Sequence, residues 1–165
     1  MNNDNLSFNY RLKKGDEQTV RNITERTGFF TSDEVNIAEE LAVEHLTKGE
    51  HESGYHFIFA HINSATVAYT CYGPIPGSDF GYDLYWIVTD IKSRGKGYGK
   101  KLLKETERVI WEVGGRIIYA ETSSTAQYEP TRAFYEHNGY LKEAVLRDFY
   151  RPGDSKVIYS KKLPT

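Results

Sequence analysis

This chain of 165 residues holds a single cysteine, Cys71. One thiol can close no internal disulfide, and a reducing, cytoplasmic setting is expected. No stretch approaches the ~18 consecutive apolar residues of a membrane-spanning helix, so no membrane partner is expected. The N-terminal Met1-Asn2-Asn3-Asp4-Asn5 has neither a basic start nor an apolar run, which predicts no signal peptide. His45, His51, His56, His61 and His137 form no i,i+4 pair and have no cysteine companion, so no metal site is predicted. No repeat, low-complexity tract or linker divides the chain, and residues 1–165 read as one domain. With a net charge of −2 the molecule is not built to hold nucleic acid. Two familiar phosphate motifs are also missing. Gly99-Lys100 is followed by Lys101, where a P-loop needs a Ser or Thr hydroxyl, and no reading from Gly95 or Gly97 supplies the third glycine of a dinucleotide fingerprint.

What is present is concentrated. Lys92–Arg108 carries seven basic side chains against two acidic ones. Within it lies Arg94-Gly95-Lys96-Gly97-Tyr98-Gly99, followed at once by the helical run Lys100-Lys101-Leu102-Leu103-Lys104. Alternate glycines between an apolar strand and an amphipathic helix bare a row of backbone N–H groups where the helix dipole favours anions. Arg94 and Lys96 add positive charge, and a pyrophosphate is the natural guest. The plain alternative is a glycine-rich turn before an ordinary, solvated basic helix. Thirteen tyrosines point to packing with polar tips and to a phenol-lined pocket.

Periodicity gives the element order. Phe8–Leu12 alternates as a strand, Gly15-Asp16 opens a helix ending near Gly28, and Thr31 or Ser32 caps a second helix with a stop at Gly49. Strands follow at 55–62 and 65–72, joined by Asn63-Ser64, then a loop through Pro74, Pro76 and Gly77. A long strand spans 80–89, a helix 98–113 and a short strand 117–120. Pro130 suits the first turn of a helix stopped by Asn138-Gly139, and strands at 140–150 and 156–163 form a last hairpin. The order β-α-α-β-β-β-α-β-α-β-β predicts an α/β (α+β) fold: a mixed sheet with helices on both faces.

The pattern [QR]-x-x-G-x-G, met by Arg94, Gly97 and Gly99, resembles the acetyl-CoA signature of the GNAT acetyltransferase superfamily. The element order over about Tyr55–Leu163 is also that of the GNAT fold, a mostly antiparallel twisted sheet with splayed central strands. Phe134-Tyr135-Glu136-His137-Asn138-Gly139-Tyr140 resembles the family's second signature. The resemblance implies acetyl-CoA as cosubstrate, no metal and no covalent acetyl-enzyme. It implies that the backbone of Ile87, Val88 and Thr89 bonds the pantetheine arm like an added strand. Arg94, Gly95, Lys96, Gly97, Tyr98, Gly99 and Lys100 would then cradle the pyrophosphate. Thr89 stands where the family has valine and Ile91 where it has proline, mild changes for backbone contacts. Tyr128 replaces a common asparagine, and Thr131 an alanine.

Two side chains are candidates for proton transfer. Period-two alternation puts Asp83, Tyr85 and Ile87 on one strand face and Tyr82, Leu84, Trp86 and Val88 on the other. A carboxylate amid such neighbours is out of place in a plain core strand, and Asp83 matches the position of the family's acidic general base, acting directly or through a water. An alkylammonium of pKa ~10.4 must lose a proton before it attacks a thioester. Tyr135 matches the tyrosine that protonates the departing CoA thiolate. The bland readings are an edge carboxylate and a packing tyrosine. Glu121, Thr122 and Ser123, with Asp148, Tyr150 and Arg151, are further candidates to rim the acceptor pocket. His56 and His61, at odd spacing, should face opposite sides of their strand. The expected acceptor is the primary amine of a small molecule, with an amino acid or related metabolite as the first choice. The alternatives are a protein or peptide amine, and a non-catalytic acetyl-CoA sensor. Family members often dimerise, which leaves a homodimer open.

Overall fold

The structure is a computed structural model that describes residues 5–165. The first four residues, on which much of the signal-peptide expectation rests, lie outside the described ones. The elements are β1 (Leu6–Asn9), α1 (Asp16–Arg26), α2 (Ser32–Ser53), β2 (His56–Ile62), β3 (Ala65–Pro74), β4 (Gly81–Thr89), α3 (Tyr98–Glu112), β5 (Ile117–Ser123), α4 (Glu129–His137), β6 (Leu141–Arg151) and β7 (Asp154–Lys162). Short 3₁₀ turns occupy Ile91–Ser93 and Ala126–Tyr128. Hydrogen bonding orders the strands β1-β2-β3-β4-β5-β7-β6, and β4 and β5 run parallel. Among the described residues no helix is long and apolar enough to cross a membrane.

The chain forms two compact units. The first holds the chain as far as Gly73 together with Trp86–Thr106. Its core joins Val20 and Ile23 of α1, Ala38 and Ala42 of α2, and Phe57, Phe59, Tyr69, Cys71 and Val88 of the strands. Thr24 and Tyr69 share a 2.6 Å hydrogen bond that ties α1 to this face. The opposite face is covered by α3, where Thr70 and Thr106 bond at 2.9 Å. Helices on both faces of this part of the sheet follow from the alternation of β3. Asn63 and Ser64 both take positive φ, as a two-residue hairpin requires.

Several boundaries repay comparison with expectation, and β5 runs three residues beyond it to Ser123. β1 starts earlier and stops at Asn9, whose Oδ1 accepts a bond from the Arg11 amide and turns the chain. Thr31 caps α2 through a capping box with Glu34. Gly49 (φ 83°, ψ 164°) is non-helical, so the first helical stretch stops there as expected, and a further turn across the kink runs to Ser53 and is closed by Gly54. Pro74 ends β3 rather than opening the loop.

The second unit holds Pro74–Tyr85 and Glu107–Thr165. Here β5 pairs with β4 only from Gly81↔Ile117 to Leu84↔Ala120, while its pairing with β7 continues from Ile117↔Lys162 to Ser123↔Lys156. Gly115 sits so close to Ile110 and Tyr82 that an added Cβ would lie 2.3 Å from one and 2.9 Å from the other. Only glycine lets the end of α3 approach β4 in this way.

Candidate active site

The first unit carries the phosphate-binding candidates. Ile87, Val88 and Thr89 end β4, with Val88 buried in the core. Arg94 is extended, Gly95 and Gly97 take φ of 75° and 79°, and the Gly97 carbonyl accepts the Lys101 amide at 3.1 Å, making it the last residue before α3. Helix geometry leaves the amides of Gly99 and Lys100 without an intrahelical acceptor. Arg94–Gly97 and Lys100 are exposed, while Tyr98 is buried. No protein atom lies within 4 Å of a Cβ built on Gly95 or Gly97. The loop is therefore open, basic and headed by a helix N-terminus, which suits a pyrophosphate.

Asp90 was not among the expected site residues, yet it pins this loop. Its Oδ2 accepts from Arg26 Nη2 at 2.5 Å, and its Oδ1 from the Lys92 amide at 3.1 Å. Its own amide donates to the Val67 carbonyl at 2.8 Å. Burial pushes the Asp90 carboxyl upward, but the bonds and charges of Arg26 and Lys92 outweigh it and hold it below the ordinary value. The available sequence signal was an aspartate two residues before a free amide, the Asx-turn arrangement.

The second unit carries the proton-transfer candidates, and the strand register divides them. Asp83 opposes Tyr119, which opposes Ser160; two and four residues on, Glu121 opposes Ile158 and Ser123 opposes Lys156. These side chains share one face. Leu84, Ile118, Ala120, Val157 and Tyr159 share the other and are buried. Tyr135 of α4 stacks on Tyr159 with ring centroids 5.8 Å apart and meets Tyr140 at 5.3 Å. Asp83 and Tyr135 thus stand on opposite faces of one sheet.

The Asp83 face is polar. Lys156 Nζ pairs with Glu121 at 2.7 Å and lies 3.8 Å from the centroid of the Phe149 ring. Asp83 is half-buried; that burial raises its pKa, Glu121 raises it further and Lys156 opposes them. A carboxylate tuned upward in this way is a better proton acceptor near neutral pH. At the end of β5, Ser123 bonds Asp154 at 2.5 Å, and Arg132 donates to the carbonyls of Ser123 (2.7 Å) and Thr125 (2.9 Å). Asp148 accepts from the Gly153 amide and Arg151 lies 3.7 Å from Asp154, so two of the expected rim residues build the hairpin turn.

Tyr135 is 4% exposed, and burial raises its phenol. Such a group stays protonated and keeps its O–H as a donor. α4 is held in place at its end by Gly139 (φ 85°), which lets the Tyr140 amide return to the Tyr135 carbonyl at 3.0 Å. His56 and His61 belong to the first unit: one stacks on Tyr72 at 5.4 Å, and the other lies 3.3 Å from Thr66 Oγ1.

No curated protein matches the chain. The model of the acetyltransferase (GNAT) family matches residues 19–140. A crystal structure from Desulfovibrio desulfuricans, of a protein assigned to that family, is 43% identical and covers 95% of this chain and 98% of its own, with a TM-score of 0.92. The ribosomal-protein-S18-alanine N-acetyltransferase of Escherichia coli shares the fold at 17% identity, covering 97% of this chain and 95% of its own (TM-score 0.75). So does an aminoglycoside 6'-N-acetyltransferase complexed with coenzyme A, at 18% identity, 97% and 98% coverage and the same TM-score. By the extent of that family match and the identity of that first relative, the chain belongs to the GNAT family of acetyltransferases.

Proposed function

We propose that this acetyltransferase, acting as one domain over residues 1–165, moves the acetyl group of acetyl-CoA to the primary amine of a small molecule. The observation that carries the reading is the placement of Asp83 and Tyr135 on opposite faces of one sheet. Direct transfer needs a base on the side from which the amine attacks and a donor on the side to which the thiolate leaves. Acetyl-CoA supplies the activated thioester. The Arg94–Lys100 loop would hold its pyrophosphate through the amides about Gly97 and Gly99, and Ile87, Val88 and Thr89 would pair with its pantetheine amides.

Asp83 takes a proton from the ammonium of the acceptor, directly or through a water, and its raised pKa suits that task. A backbone N–H near Ile87 or Val88 stabilises the oxyanion. Tyr135 donates from its phenol to the departing sulfur. On the Asp83 face Lys156 pairs directly with Glu121 and acts on Asp83 only through its charge, which leaves the Asp83 carboxylate for an incoming ammonium. Phe149 and Tyr150, half exposed beside Lys156, offer that amine an apolar rim.

The test is release of the CoA thiol from acetyl-CoA over a panel of small amines, amino acids, polyamines, aminoglycosides and a lysine peptide, beside Asp83→Asn and Tyr135→Phe. Turnover with a small amine, lowered about 100-fold or more in kcat by each variant, is expected. Turnover with the peptide alone would move the acceptor to proteins. Binding without any turnover would make the chain a sensor.

A further inference from the structure

Thr122 presents a hydroxyl that the fold does not use. It lies on β5, two residues past Ala120, where the register with β4 ends. Its side chain shares a face with Ala120, and its register partner Val157 is two residues from Tyr159, on which Tyr135 stacks. The residue is 2% exposed, and its Oγ1 has no hydrogen-bond partner among the described residues. The flanking polar groups are all engaged: Glu121 with Lys156, and Ser123 with Asp154 and Thr125. Tyr140, the other buried hydroxyl with no bond, differs because Glu107 acts on its phenol and Lys161 lies over its ring at 5.6 Å.

Buried hydroxyls in folded proteins nearly always have partners, and an orphan asks for a physical reason. Valine has the shape of threonine and would fill the space beside Ala120 and Val157 without a desolvated oxygen. The orphan stands on the face of the sheet that carries Tyr135, the side assigned above to the departing thiolate. We propose that the Thr122 hydroxyl is a binding group for the acyl-pantetheine end of acetyl-CoA, bonding to a pantetheine amide or to the thioester sulfur. A hydroxyl both donates and accepts, so it suits either. The inference rests on the acetyl-CoA reading of the Tyr135 face.

The experiment compares Thr122→Val and Thr122→Ser with the wild-type full chain. It measures the unliganded melting temperature and the calorimetric affinity for acetyl-CoA. Thr122→Val should melt at the wild-type temperature or above, because an unpaired oxygen has been removed, and should bind acetyl-CoA about tenfold more weakly. Thr122→Ser should recover most of the affinity. A purely structural hydroxyl would move stability and leave affinity alone. Two results overturn the proposal: a Thr122→Val protein that binds acetyl-CoA as the wild type does, or one that melts several degrees lower, which would mean that the hydroxyl has a partner within the fold. If the wild-type chain itself fails to bind acetyl-CoA, the reading of the Tyr135 face falls and the proposal with it; wild-type binding beside an unaffected variant removes the proposal alone.

Discussion

At single residues, function and fold compete for the same chain around Asp90 and Gly97. Gly97 takes φ of 79°, a region that costs any L side chain, yet no protein atom crowds its missing Cβ. Gly97→Val should therefore fold with a modest loss of stability while acetyl-CoA affinity falls below detection by calorimetry, because the branched side chain would stand in the cradle and twist its amides. Asp90 acts through part-buried bonds to Arg26 and Lys92. Arg26 is partly in water, and screening trims its share. Asp90→Ala should cost about 2 kcal/mol, a fall of about 4–8 °C in Tm for a chain of this size. The folded carboxyl titrates below its unfolded value. Its contribution is therefore complete above the ordinary aspartate range and is lost as the pH falls through the lowered folded value. In Asp90→Ala that part of the acid dependence should disappear, and a series of thermal melts against pH would read it.

Among the elements, β4 and β5 do most to build the proposed catalytic arrangement, and they also show what the sequence could and could not reveal. Alternation along β4 was legible around Asp83, which the sequence sets on the face away from Leu84, although the burial of the whole strand does not follow a strict two-residue period. The extent of β5 was not: its apolar pattern stops at Ala120, and Glu121–Ser123 are held as strand by pairing with β7, a tertiary effect that local propensity does not carry. The glycine loop was legible as a candidate because backbone freedom and local charge are properties of adjacent residues. Asp90 was missed because its importance depends on Arg26, 64 residues away. Lys156 was missed for the same reason, since only the ladder from β4 through β5 to β7 brings it to the face of Asp83. This yields a test. The charged groups that act on Asp83 are Glu121 of β5 and Lys156 of β7. A general base must be unprotonated, so activity rises with pH through its pKa. Lys156→Met removes the opposing cation, and the acid limb of kcat/KM should move to higher pH; Glu121→Gln should move it to lower pH. Lys156→Arg should keep the wild-type limb. Unshifted profiles in both charge-removing variants would separate Asp83 from the proton transfer.

For the whole molecule, the two compact units are not separate chains of elements. β4 contributes Gly81–Tyr85 to one and Trp86–Thr89 to the other, and α3 is divided at Thr106. Unfolding either unit would take half of a strand and half of a helix out of the other. A calorimetric scan should accordingly show one transition, with calorimetric and van't Hoff enthalpies in agreement. The loop proposed to hold the cofactor and Asp83 belong to different units, so ligand binding offers an independent check. A ligand that binds only the native state stabilises it by about 2.7 kcal/mol at a hundred times its Kd, which corresponds to a rise of about 5–10 °C here. Acetyl-CoA should raise the single transition by that amount without splitting it, and the rise should vanish in Gly97→Val. The net charge is −2, but Lys92–Arg108 is strongly basic, so attraction of a polyanion is local to the loop rather than a property of the whole surface. The ligand-induced rise should therefore shrink as salt is added at fixed acetyl-CoA concentration, while the melting of the unliganded chain changes far less. A scan that resolves into two peaks, with only the lower or only the upper one moving with acetyl-CoA, would show instead that the units melt independently and that binding is confined to one of them.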